Sequence, residues 1–117
     1  MIITTAIILG AIIVGTTLVA KYWRKILDFL KLVIGKLKRI VKGIMMGCAV
    51  FIKKIGDKFQ NRTKHYSKSE TGKWKETIVN YEQNPEEIPE KYREYAGFDP
   101  EKEYDLTQEF SMELQKK

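Results

Sequence analysis

Residues 2–20, IITTAIILGAIIVGTTLVA, contain no charged side chain. A helix of about 20 apolar residues crosses the hydrocarbon core of a bilayer, so the length of this run predicts a transmembrane anchor over residues 1–20. Only Met1 precedes the run, so the basic leader of a cleaved signal peptide is missing. Lys21, Arg24 and Lys25 follow it at once. The excess of positive charge on that side predicts an outside N-terminus and a cytoplasmic C-terminus in a single-pass protein of the cell membrane. Tyr22 and Trp23 fall at the level of the headgroups, where amphipathic rings gather.

The pattern then changes period. Trp23, Ile26, Leu30, Val33, Leu37, Ile40, Ile44, Cys48, Phe51, Ile55 and Phe59 recur with a mean step of 3.6 residues. That is the α-helical period. The spacing predicts a basic amphipathic helix over residues 21–61, about 54 Å long between the first and last of these positions at 1.5 Å per residue. Its polar side carries Arg24, Lys25, Lys31, Lys38, Arg39, Lys42, Lys53 and Lys54, with Asp28 and Asp57 as exceptions. An almost purely basic face opposite Trp23 and Phe51 is the composition of a helix lying in the headgroup layer. A coiled-coil seam would repeat at 3.5 and mix the signs of charge at its edges. Gly43 and Gly47 bracket Ile44-Met45-Met46, and Ala6 and Gly10 repeat that spacing in the anchor. Small residues four apart let apolar helices approach closely, so Gly10, Gly43 and Gly47 are the expected helix-association positions.

Beyond Asn61 the pattern predicts a small α+β tail over residues 62–117. Residues 62–81 form two polar-aromatic runs around Ser69-Glu70-Thr71-Gly72, the signature of a β-hairpin. Asn84-Pro85 and Ile88-Pro89 mark a linker or a helix start. Two short helices follow, one over Glu90–Ala96 and one in DLTQEFSMELQKK, where Asp105 and Gln108 suit a capping box. Leu106, Phe110 and Leu114 line one side of the last helix at steps of four. That row holds too little apolar area to stand alone, so it is expected to dock on the hairpin or on another protein, and with Trp74 it forms the expected partner-docking set. The fold class read from the chain is therefore a mainly α membrane protein with a transmembrane helix, a long basic amphipathic helix and an α+β tail.

Charge divides the chain unevenly. Lys21 to Lys68 holds fourteen Lys or Arg and two acids, a net of +12; Ser69 to Lys117 holds seven basic and thirteen acidic residues, a net of −6, and together they give +6 overall. A basic half beside an anchor suggests anionic membrane lipids as partner. The acidic half suits a soluble protein partner or a second copy of the chain. His65, Tyr66, Lys68, Lys73, Trp74 and Lys75 interleave rings with cations as nucleic-acid surfaces do. No RNA-binding motif accompanies them, and the same lysines are needed against lipid, which argues against nucleic acid.

No chemistry emerges. Cys48 is the one cysteine and His65 the one histidine; they fall in different segments, and neither has metal-ligand spacing. There is no phosphate-cradling glycine loop and no nucleophile elbow. The sequence thus predicts no catalytic residue, no cofactor and no metal. The functional reading is a non-enzymatic membrane-anchored protein whose basic helix binds the inner leaflet and whose acidic C-terminal region docks a protein partner or its own copies. The alternative is an oligomeric membrane-permeabilising effector, such as a small toxin or defence protein.

Overall fold

A computed structural model describes residue 13 and residues 17–40, 42–98 and 102–115. Its first helix, α1, spans Leu18–Ile40. Thr17 starts it: the hydroxyl accepts the Ala20 N–H at 3.2 Å, satisfying one of the free donors of the first turn. Lys38 and Arg39 close it beside the negative end of the helix dipole. Ala20, Tyr22, Trp23, Ile26, Leu27, Leu30, Val33 and Ile34 are buried, a single stripe at steps of three and four.

The chain then changes structure. Gly43–Ile55 is a strand, β1, followed by β2 over Lys58–Ser69 and β3 over Trp74–Gln83. Gly56, at φ +61°, takes the first central place of the two-residue turn between Ile55 and Lys58. Glycine is the residue that turn needs there. Between β2 and β3, Gly72 stands at φ +85° and its N–H donates to the Ser69 carbonyl at 2.9 Å. A single 3-10 turn over Pro85–Glu87 leads to α2, Glu90–Phe98. A two-residue strand, β4 at Tyr104–Asp105, and α3 at Thr107–Gln115 complete the order.

The four strands form one antiparallel sheet in the order β3-β2-β1-β4. Cross-strand partners fix which side chains share a face. Cys48, Val50 and Ile52 of β1 lie opposite His65, Thr63 and Asn61 of β2, and all six are buried. This is the inner face, and α1, α2 and α3 cover it. Trp23 ties the helices together: its ring centroid lies 5.3 Å from Tyr92 of α2 and 5.7 Å from Phe110 of α3. Tyr22 stacks on Tyr92 at 5.4 Å, and Phe29 stacks on Tyr81 of β3 at 4.8 Å. Leu106, Phe110 and Leu114 belong to the same core. Thr107 fastens α3 to β1, its hydroxyl accepting the Val50 N–H at 2.9 Å.

This architecture corrects the fold class read from the sequence. The chain is an α+β fold, not a mainly α membrane protein. The long amphipathic helix stops at Ile40, and the positions that continued its stripe lie on strands. Gly43 to Ile55 is rich in apolar residues at successive positions, so it satisfies a period of 3.6 as readily as one of 2. Glycines at positions 43 and 47 disfavour helix there by about 1 kcal/mol each, while Val50, Phe51 and Ile52 favour strand. The expected hairpin supplies β2 and β3 of a four-stranded sheet whose other strands come from the stretch expected to be helix and from the chain after Phe98.

The single-pass membrane assignment is corrected as well. Among the described residues no helix is long and apolar enough to cross a membrane. Most of residues 1–20 lies outside the described residues, but Ile13, midway along the expected anchor, is buried in the same hydrophobic core as Trp23. The reading of a membrane-spanning chain falls with it.

Candidate functional site

The two faces of the sheet offer different chemistry. On the inner face, β2 places Asn61, Thr63, His65 and Ser67 in a buried polar row under α1. Buried polar groups need partners, and most have them. The Tyr22 hydroxyl donates to Asn61 Oδ1 at 2.8 Å, and Asn61 Nδ2 donates to Gln83 Oε1. Burial raises the Tyr22 phenol well above its ordinary value. Thr63 Oγ1 donates to the Val79 carbonyl at 3.3 Å and lies 2.9 Å from His65 Nε2. His65 Nδ1 has no hydrogen-bond partner among the described residues. Burial pushes the His65 imidazole down to about 4.

Cys48 and His65 stand directly opposite each other on β1 and β2. Sequence separation concealed this pairing of the one cysteine with the one histidine; an alternating strand reading of residues 43–69 would have revealed it. The pair is sealed, at 1% and 0% exposure, so no substrate reaches the thiol. Among the described residues no group of His, Cys, Asp and Glu is arranged to hold a metal ion.

The outer face is uncovered by any described helix. Its central strand presents Arg62, Lys64, Tyr66 and Lys68; β1 adds Ile44 and Phe51, and β3 adds Trp74, Glu76, Ile78, Asn80 and Glu82. Ile44, Trp74 and Ile78 are large apolar side chains left 69%, 54% and 48% exposed. Cations lie on the rings: Lys68 Nζ is 5.7 Å from the centroid of Trp74, and Lys64 Nζ is 4.8 Å from that of Phe51. Such contacts contribute about 0.5–1 kcal/mol at exposed sites. Arg62 is engaged by Glu103 at 3.1 Å. The face is mixed in sign, because Glu76, Glu82 and Asp105 share it with the lysines.

At the hairpin end, Lys54, Asp57, Phe59, Pro85, Glu90, Arg93 and Glu94 line an open cleft of about 460 Å³. Its walls carry opposed charges. Nearby, Lys25 pairs with Glu87 at 2.7 Å. That hydrogen bond raises the lysine and lowers the carboxyl from their ordinary values. Here the basic first half of the chain meets its acidic second half within one molecule.

The expected site residues scatter. Trp23 is fully buried and Arg24 half-buried; Lys25, Lys38, Arg39 and Lys42 are exposed, and Lys31 is half-buried. Phe51, Lys53 and Lys54 are on β1, so the membrane-binding set shares no helix face. The apolar half of that proposed surface is the protein core. Gly43 and Gly47 are strand residues, and Gly10 lies outside the described residues. Gly43 is small for another reason: a Cβ there would stand 2.2 Å from the Lys68 carbonyl oxygen. Of the partner-docking set, Leu106, Phe110 and Leu114 are buried, and Trp74 alone remains on the surface. The class that fold and surface define is an α+β domain with all described helices on one face of a four-stranded sheet. No family model matches the chain, and comparison with curated proteins and with solved structures finds no match.

Proposed function

We propose that the protein is a non-enzymatic docking module that pairs its edge strand β3 with an extended polypeptide, using the outer-face patch around Trp74 as anchor. One observation carries the reading. β3 is ten residues long, regular in register and free of proline, and among the described residues nothing pairs with its outer side. Edge strands in monomers are usually blunted by bulges, prolines or short length, because an open edge templates pairing. On the opposite side the edge strand β4 is only two residues long and pairs with Phe51 and Ile52, and β1 beside it is broken by a bulge between Met45 and Gly47, whereas β3 is regular throughout. Trp74 and Ile78 on β3 add the exposed aromatic and aliphatic side chains that dominate binding energy at protein interfaces. The mixed charge of the face supports a polypeptide over a nucleic acid, whose phosphates call for uniformly basic surface.

The test is amide hydrogen exchange on the full chain with a library of extended peptides. The reading expects bound peptides to protect the Glu76, Ile78 and Asn80 amides and Trp74→Ala to weaken binding. Peptides that bind while leaving these amides unprotected would overturn it.

A further inference from the structure

Resting on that reading, we infer that the strand docked on β3 is β3 of a second copy, so that two chains join into one continuous antiparallel sheet centred on Ile78. The backbone sets the terms. The Ser69 N–H donates to the Lys73 carbonyl at 2.8 Å, closing the β2–β3 hairpin. Hydrogen-bonded and non-hydrogen-bonded pairs alternate along an antiparallel ladder. The β2–β3 bonds therefore fall on Lys75, Thr77, Val79 and Tyr81, and Trp74, Glu76, Ile78, Asn80 and Glu82 aim their N–H and C=O groups at the open edge.

A symmetric pair must place these even-numbered residues opposite one another. Centring the two-fold axis on Ile78 does so over nearly the whole strand. Trp74 then faces the partner's Glu82, Lys75 faces the partner's Tyr81, Glu76 faces the partner's Asn80, Thr77 faces the partner's Val79, and Ile78 meets itself. No like charges oppose each other, and about ten main-chain hydrogen bonds form. Shifting the axis to Val79 sets Glu76 against the partner's Glu82 twice, and like charges directly opposed are destabilising. Shifting it to Thr77 shortens the overlap and leaves Ile78 opposite Glu76. The strand is thus complementary to itself in one register.

The test uses sedimentation of the full chain up to about 1 mM, a range suited to a weak dimer. The wild type should dimerise reversibly. Ile78→Lys and Ile78→Glu should each weaken dimerisation by about tenfold or more, since each sets like charges on the axis. An equimolar mixture of the two should restore it, because Lys then meets Glu across the axis. Circular dichroism of each variant checks that the exposed substitution leaves the fold intact. A wild type that stays monomeric throughout, dimers that survive both substitutions, or a mixture without rescue would each overturn the inference. Peptides that still protect the β3 edge in a monomeric wild type would leave the docking reading standing and sink the self-pairing alone.

Discussion

Trp23 and Trp74 divide the molecule between them. Each was a candidate for contact with something outside the chain, one with lipid and one with a protein. Trp23 is fully buried where α1, α2 and α3 meet over the inner face of the sheet, whereas Trp74 lies 54% exposed on the outer face with Lys68 across its ring. The inner face is closed: rings pack on rings, and Asn61 and Thr63 of its central row have hydrogen-bond partners. The outer face is unfinished, with exposed aliphatics, a mixed set of charges and an open strand edge. The difference teaches that amphipathic patterning reports burial without naming the medium; a stripe that suits a membrane suits a sheet equally well.

The comparison breaks most visibly at Trp23. Trp23→Ala should destabilise the chain by about 3–5 kcal/mol, the usual range for emptying such a core site. Urea unfolding measures it, and a loss below about 1 kcal/mol would mean the inner face is not the core.

The next effect is a pH dependence set by His65. Its folded-state value of about 4 lies below the ordinary 6.5. As pH falls, the unfolded chain takes up the proton first. Stability is therefore complete above pH 6.5 and is lost as pH drops through 4. The shift corresponds to about 3 kcal/mol. Between pH 7 and pH 4 the wild type should lose about that much more stability than His65→Gln, read by urea unfolding at both values; parallel losses would show that the imidazole titrates freely.

Two glycines sharpen the contrast. Gly43→Ala should destabilise by about 1–3 kcal/mol, because the added methyl collides with the Lys68 carbonyl and β1 must move from β2. Gly35→Ala meets open space in an exposed helical position and should stabilise by about 0.5–1 kcal/mol. Melting curves of the two variants should move in opposite directions. The smallest effect belongs to the outer face: Trp74→Ala should change stability by no more than about 0.5 kcal/mol while reducing association.

Part of this fold was legible in the chain. The turn at Ser69–Gly72 and the short helices near Glu90 and Asp105 carried local signals of glycine, proline and capping residues. The start of α1 lay hidden inside an uncharged run. Only the Arg62–Lys68 part of β2 was legible, as the first run of the expected hairpin; its Lys58–Asn61 start was not, for a different reason. The buried positions of β2 are Phe59, Asn61, Thr63, His65 and Ser67, polar in all but the first, so the apolar alternation that reveals a half-buried strand is missing. Those polar side chains are tolerated inside because Tyr22, Gln83 and the Val79 carbonyl meet them, and such partners are many residues away in sequence. The docking row failed similarly. Leu106, Phe110 and Leu114 looked available because the core that buries them was not foreseen: Trp23, which packs on Phe110, was assigned to the membrane surface. The open edge of β3 could not be read at all, since strand order decides which strand is last.

Tryptophan fluorescence tests the division of faces most directly. In a Trp74→Phe variant, Trp23 is the only tryptophan, and excitation at the red edge of the absorption band selects it over the tyrosines. The fold predicts blue-shifted emission that iodide does not quench, against red-shifted, readily quenched emission from Trp74 in a Trp23→Phe variant that remains folded. Red-shifted emission from Trp23, quenched by iodide as strongly as that of Trp74, would contradict the account, because the apolar face of α1 would then lie in water.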